Sequence, residues 1–285
     1  MELIKDKHGV LTVSPMPTAD EVKAFYSKRY YQENLGQYQT NYSDDEVRFM
    51  HIKDRMFAHY LGDNFNGDYL DVGCGEGFSL KYFSALGAKC CGCDFSEAGI
   101  KSQNPAALEN IDFEQCDVVN DDYFPDRKFD AISLNGILEH VLDAEFLLTK
   151  VKDMLRPGGL LYIQVPNEFN PYQQQWMNYN SKEMTEAPWF DAVQHVRYFS
   201  PDSLAQMVES IGYERVDILG DFPVDMFLTV PETDYYAGTF GKTAHKIRVE
   251  TSNLISEDIV RYIKYCRASI EIGLGRSIHA IYKMA

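Results

Sequence analysis

The stretch YLDVGCGEGF, Tyr69 to Phe78, sets the tightest limit on what this chain can fold into. An apolar run of strand length reaches Gly73, and glycine then recurs at every second position through Gly77. A helical stretch follows from 76 to 86 and stops at Gly87. Strand, bare turn and helix in that order form one unit of a parallel sheet. The unit repeats. Further strand-length runs are AKCCGCD (88–94), IDFEQCD (111–117), FDAISLN (129–135) and GLLYIQVPN (159–167), with helical stretches at 96–103 and 143–155 between them. An irregular aromatic stretch (168–199) leads to the helix SPDSLAQMVESIGY, with Pro201 in its first turn and Gly212 at its end. ERVDILG reads as a sixth strand, and the alternating RSIHAIYKM as a last one. Strands alternating with helices of this length predict an α/β sheet covered on both faces.

Residues 1–66 are expected to form a helical N-terminal cap, because from Met16 the pattern is helical and rich in tyrosine. Thr18 with Glu21 makes a helix start, and Asp44 begins a second helix carrying Val47, Met50, Ile52, Phe57 and Leu61. Residues 67–285 are the core, with insertions at about 168–199 and 221–276. The second insertion holds the amphipathic SEDIVRYIKYCRASIEIG and is expected to be a lid before the last strand.

The 285 residues are 45% hydrophobic and 25% charged, enough for a well-buried core. With 27 basic against 43 acidic residues the net charge is -16, a field that repels phosphate backbones. Nucleic acid is therefore a poor partner and a small molecule a better one. No run of 18 apolar residues exists to span a membrane, and MELIKDKHGV lacks a signal pattern, so a cytoplasmic location is expected. Six cysteines without framework spacing fit free thiols; Cys90, Cys91 and Cys93 lack the second pair a zinc site needs.

Ligands of an open parallel sheet bind beyond the strands' carboxyl ends. Gly73, Gly75 and Gly77 lie at such an end, spaced G-x-G-x-G, where glycine lets the backbone approach a ligand and take positive φ. Asp71, Asp94 and Asp117 close the first three strands. An acid at the second strand's end can accept ribose hydroxyls, and one after the third the adenine amine. Carboxylates suit a cation and repel a pyrophosphate. Together they describe a nucleoside with positive charge and no phosphate.

LDVGCGEG (70–77), Asp94 in CGCDFS, Asp117 in EQCDVV, FDAISLNGILEHV (129–141) and LRPGGLLYIQVPN (155–167) resemble the class I S-adenosylmethionine-dependent methyltransferases. The resemblance implies a Rossmann-like, doubly wound, seven-stranded, mostly parallel sheet and S-adenosylmethionine as cofactor. It implies that Gly73, Gly75 and Gly77, with Asp71 and Cys74, face the methionine part. Asp94 with Phe95 would then meet the ribose, and Asp117 with Val118 the adenine. Asn135 with Gly136 would lie near the amino group. LEHV also resembles the ubiquinone-pathway O-methyltransferases. Those carry a further metal-binding glutamate where this chain has Gly136, so no metal is expected.

Methyl transfer to a hydroxyl needs alignment and a base. His195 in QHVRYFS and His140 in NGILEHV are the candidates, His195 being placed first because the acceptor-side loop carries it. Tyr31, Trp176, Tyr179, Arg197 and Tyr198 are the expected acceptor contacts, with Lys242, His245, Lys246 and Arg248 as further cations. The HVRYFSPDSL turn and the C-terminal GLGRSIHAIYKM resemble methyltransferases of surface-glycan and secondary-metabolite pathways, which implies O-methylation of a small sugar or sugar-derived precursor. N-methylation or a phospho-compound acceptor is the alternative within the class. A nicotinamide-dependent oxidoreductase shares the sheet and an acid about 20 residues past the glycines, but the glycine spacing and Asp117 argue against it. A cofactor-binding module without catalysis is the non-enzymatic alternative.

Overall fold

The computed structural model describes residues 1–25, 41–62 and 64–284. The first fourteen residues are not helical. They form a hairpin, β1 (Glu2–Lys5) and β2 (Leu11–Ser14), whose turn is held by Asp6 Oδ1 accepting from the His8 and Val10 amides. Short α1 (Ala19–Phe25) follows, started as expected by Thr18 and Glu21 bonding reciprocally. Next come α2 (Asp44–Met50) and α3 (Ile52–Leu61).

The core then alternates: β3 (Asp68–Val72), α4 (Phe78–Ala85), β4 (Lys89–Asp94), α5 (Ala98–Gln103), β5 (Asp112–Gln115), β6 (Phe129–Asn135), α6 (Ala144–Met154) and β7 (Leu155–Pro166). After α7 (Pro171–Tyr179), β8 (Arg197–Tyr198), α8 (Pro201–Ser210) and β9 (Tyr213–Gly220) come α9 (Gly241–Ile255), α10 (Ile259–Glu271) and β10 (Ser277–Met284). Seven strands make one sheet in the order β5-β4-β3-β6-β7-β10-β9. β3 to β7 pair in parallel, whereas β10 runs antiparallel to both β7 and β9.

Both faces are covered, so Tyr69 to Val72 of β3 are all buried and the strand reads as one apolar run interrupted by Asp71. One face packs Phe57 of α3, Phe83 of α4 and Cys266 of α10; the other packs Leu147 and Val151 of α6 and Leu204 and Val208 of α8. The segment 221–276 therefore has two duties. Its second helix, α10, is a layer of the core through Tyr262, Ile263 and Cys266, and only the part before it stands over the carboxyl-end side with α2 and α7. The sequence reading missed α9 altogether. β2 pairs with β8 in a separate three-stranded sheet, Leu11 opposite Tyr198. All six cysteines are free and buried. No helix among the described residues is long and apolar enough to cross a membrane.

Candidate active site

From β3 the chain steps outward through β4 to β5 and then returns to β6 on the other side of β3, and a cavity of about 960 Å³ opens at that switch point. Gly73 and Gly75 form its floor. The Gly73 amide donates to Cys93 O at 2.8 Å, and its φ is +73°. A Cβ there would lie 2.1 Å from Ile137 Cδ1, so backbone alone fits. Gly77 sits deeper, at the N-cap of α4 against Ile100, and Cys74 is buried in the core. Neither is among the residues that line the cavity.

Asp94 and Phe95 line one side. Asp94 Oδ2 accepts from the Gly75 amide at 2.9 Å and Oδ1 from the Ser96 amide at 3.0 Å. The Phe95 backbone adds a further hydrogen bond, so the carboxylate is held rigidly at the cavity wall. Burial raises the Asp94 pKa above the ordinary carboxylate value. Asp117 and Val118 line the next wall. Asp117 Oδ1 holds the turn beneath them by accepting from the Val119 and Asn120 amides at 3.0 and 3.2 Å.

Asp71 behaves otherwise than expected. It is buried behind the wall and accepts from Ser133 Oγ at 2.5 Å and Asn135 Nδ2 at 3.2 Å. Burial raises its pKa to about 6. It aims the Asn135 side chain and does not line the cavity itself. Asn135 and Gly136 do line it, and Asn135 Oδ1 is buried without a hydrogen-bond donor. An orphaned carbonyl oxygen calls for an N–H. The ammonium of S-adenosylmethionine supplies one, and the cavity's described lining includes Asp94, Asp117, Asp121, Asp143 and Asp20 but no lysine or arginine. The residues fit a cationic nucleoside without phosphate.

His140 lines the cavity; His195 does not. The two rings meet edge to face with centroids 4.9 Å apart. Backbone bonds bring them together, for the Val196 and Arg197 amides donate to Glu139 O at 2.8 and 3.3 Å. His140 Nδ1 is 2.6 Å from Gln194 O, which accepts and so keeps the proton on that nitrogen. Burial lowers the His140 pKa to about 4, with the neighbouring His195 adding to the shift. Burial also works to lower His195, yet the hydrogen bond and charge of Glu168 and the charge of Glu139 outweigh it, and the net shift is upward. Glu139, 3% exposed and with an unpartnered Oε2, has its pKa raised to about 7 by burial.

Ligand atoms of Glu139, His140 and His195 lie within 4.8 Å of one another. One carboxylate and two imidazoles do not match the oxygen shell of a hard divalent cation, and Gly136 supplies no further carboxylate.

The expected acceptor contacts fare worse. Trp176 and Tyr198 are 8% and 2% exposed, packed with Trp189 and Phe169 in an aromatic core of their own. Trp176 Nε1 is spent on Asp234 Oδ2 at 2.6 Å. Tyr179 is 77% exposed and away from the cavity. Arg197 donates to the carbonyls of Val141 and Leu142, pinning the loop after β6, and Arg248 is paired with Asp221. None of them lines the cavity. Tyr31 lies outside the described residues. The reading also missed Cys116, Ile137 and α1, whose Ala19, Asp20 and Val22 reach the cavity. It missed Glu168 as well, although an acid directly after the fifth strand was a signal.

A family model described as a methyltransferase domain matches residues 43–218. The chain belongs to the class I S-adenosylmethionine-dependent methyltransferases. This chain is 32% identical over 162 residues to the ubiquinone biosynthesis O-methyltransferase of Chelativorans sp., covering 52% of this chain and 62% of that one. It is 26% identical over 212 residues to the human mitochondrial ubiquinone biosynthesis O-methyltransferase, covering 70% and 57%. The chain thus spans less than two thirds of either relative's length. Among solved structures it is similar to the Burkholderia thailandensis 1,6-didemethyltoxoflavin-N1-methyltransferase with bound S-adenosylhomocysteine, at TM-score 0.56 and 16% identity over 99% of both chains. It is also similar to the plantazolicin methyltransferase in complex with SAH, at TM-score 0.55 and 18% identity over 92% and 95%. These likenesses show the fold.

Proposed function

We propose that this chain transfers the methyl group of S-adenosylmethionine to a hydroxyl of a small neutral acceptor, with His140 as the base. The carrying observation is that His140 shares one cavity with Gly73, Asp94 and Asn135 while its Nδ1 proton is committed to Gln194 O. With the proton on Nδ1, the ring's lone pair is on Nε2, the nitrogen that can take a proton. This reverses the order expected from sequence, where His195 stood first.

When bound, S-adenosylmethionine supplies a methyl carbon made electrophilic by the sulfonium. Gly73 and Gly75 let that end approach the backbone, Asn135 orients the ammonium, and Asp94 the ribose. His140 Nε2 would take the acceptor's hydroxyl proton as that oxygen receives the methyl group. The apolar Ile137, Val141 and Leu142 keep water from the line of transfer.

The acceptor we favour is a small sugar or sugar-derived precursor. An acid-lined cavity accepts hydrogen bonds from hydroxyls, and without a described lysine or arginine in its wall it offers a phosphate no partner. A phenolic hydroxyl is the second reading, favoured by the ubiquinone O-methyltransferases among the relatives. A screen of free sugars and catechols with methyl-labelled S-adenosylmethionine separates the two, with nucleotide sugars as the phosphate-bearing comparison. On the acceptor found, His140→Ala is expected to lower kcat by about 10²–10⁴-fold with cofactor affinity unchanged. Unchanged turnover would remove His140 from the reaction.

A further inference from the structure

A chain of buried charge continues behind the cavity wall. Glu168 follows β7 and is 6% exposed. Its Oε2 lies 3.1 Å from His195 Nδ1, and its Oε1 lies 3.9 Å from Arg276 Nη2. Arg276 Nε in turn stands 3.9 Å from Asp225 Oδ1. Asp225 accepts from Asn170 Nδ2 at 2.6 Å, from Gln173 Nε2 at 3.3 Å and from the Tyr235 hydroxyl. The loop after β7, the start of α7, the first turns of the second insertion and the residue before β10 therefore meet on one carboxylate–guanidinium pair. A buried carboxylate persists only when paired and hydrogen-bonded. One partner of Glu168 is an imidazole packed directly against the base.

We propose that Glu168 is a positioning residue for the histidine pair: its carboxylate accepts the His195 Nδ1–H and fixes the ring that His140 leans on. This rests on the reading of His140 as the base. The physical consequence is an alternation of charge. Glu168 favours the charged form of His195, and charged His195 favours ionised Glu139. Glu139 Oε1 lies 3.7 Å from His140 Nε2. A proton arriving on His140 Nε2 then meets a carboxylate before it meets the neighbouring imidazolium. Without Glu168 the His195 ring loses its anchor and the alternation starts one group short. Arg276 holds Glu168 from its far side and ties this anchor to the second insertion.

The test is the imidazole spectrum of the full chain, labelled with ¹⁵N-histidine and saturated with S-adenosylmethionine. His195 is expected to show an Nδ1-bound proton shifted downfield, assigned through His195→Gln. Glu168→Gln, whose amide oxygen still accepts but carries no charge, should move that resonance upfield while the His140 Nδ1–H on Gln194 O remains as an internal reference. Glu168→Asp should recover the downfield position in part. On the acceptor found in the screen, Glu168→Gln should lower kcat at least about tenfold with the KM for S-adenosylmethionine unchanged, and Glu168→Asp should restore some of the loss. The proposal is overturned if wild type shows no Nδ1-bound proton on His195, or if that resonance keeps its wild-type downfield position in Glu168→Gln. It is equally overturned if both histidine resonances and cofactor binding are lost together in both variants, since Glu168 would then serve packing alone. A screen that finds no acceptor would count against the hydroxyl-transfer reading, while the spectrum would still decide the role of Glu168.

Discussion

The cofactor half of the cavity and the aromatic segment beside it are built on opposite plans. From Gly73 to Gly136 the working groups are backbone turns and single carboxylates at consecutive strand ends. From Phe169 to Tyr198 large rings cover one another: Trp176 on Trp189 at 5.5 Å, Trp189 on Tyr236 at 5.6 Å, and Phe190 stacked on Tyr198 at 5.7 Å. In the first region a residue's place along the chain settles what it faces. In the second, composition says only that a ring will be buried somewhere, because aromatic packing and ligand binding use the same side chains. These rings pack on one another and do not line the cavity.

The largest effect that could break this contrast is at the glycine turn. Gly73→Val places a side chain where Ile137 already sits and where φ is +73°, so loss of S-adenosylmethionine binding by calorimetry is expected. Binding that survives would mean that the turn is not the cofactor floor.

The aromatic region should respond in stability instead. Trp176→Ala is expected to cost about 3–5 kcal/mol in denaturant unfolding, with cofactor affinity unchanged in the variant that remains folded. Exposed Tyr179 gives the matched small effect, within about 0.5 kcal/mol on changing to Ala. A fall in cofactor or acceptor affinity in Trp176→Ala without loss of stability would return that ring to the site.

Between these effects stands Glu139, which belongs to neither plan. Its folded pKa of about 7 is above the ordinary 4.5, so its contribution to stability is present in full below the lower value and is lost as pH rises through the upper one. Glu139→Gln removes the titration. Relative to wild type, the variant should gain about 3 kcal/mol in urea unfolding between pH 4.5 and pH 8. A difference that does not change with pH would show that Glu139 is not held in a desolvated site.

The same contrast explains what the sequence made legible. The strand–turn–helix alternation was readable because it is local, and so were Asp94 and Asp117, which end strands that the alternation already places. Asp71 was placed correctly at a strand end, but whether it met ligand or protein depended on Ser133 and Asn135, two strand residues far along the chain. The opening hairpin was missed because β2 completes its sheet with Tyr198 and Arg197, partners no local pattern reveals. The histidine pair was legible as two residues and illegible as a pair. Only the bonds from the Val196 and Arg197 amides to Glu139 O bring His195 against His140. In the second insertion the amphipathic period identified α10 but not that it would cover the sheet, since a lid helix and a layer helix share that period.

The central claim is that the cavity at the strand switch point takes S-adenosylmethionine. Titration calorimetry of the full chain with S-adenosylmethionine, S-adenosylhomocysteine and NADH, repeated with Asp94→Asn, tests it most directly. Both adenosyl compounds should bind wild type, NADH should not, and Asp94→Asn should weaken the adenosyl compounds by about tenfold or more. Binding of NADH alone, or adenosyl binding indifferent to Asp94, would contradict the account.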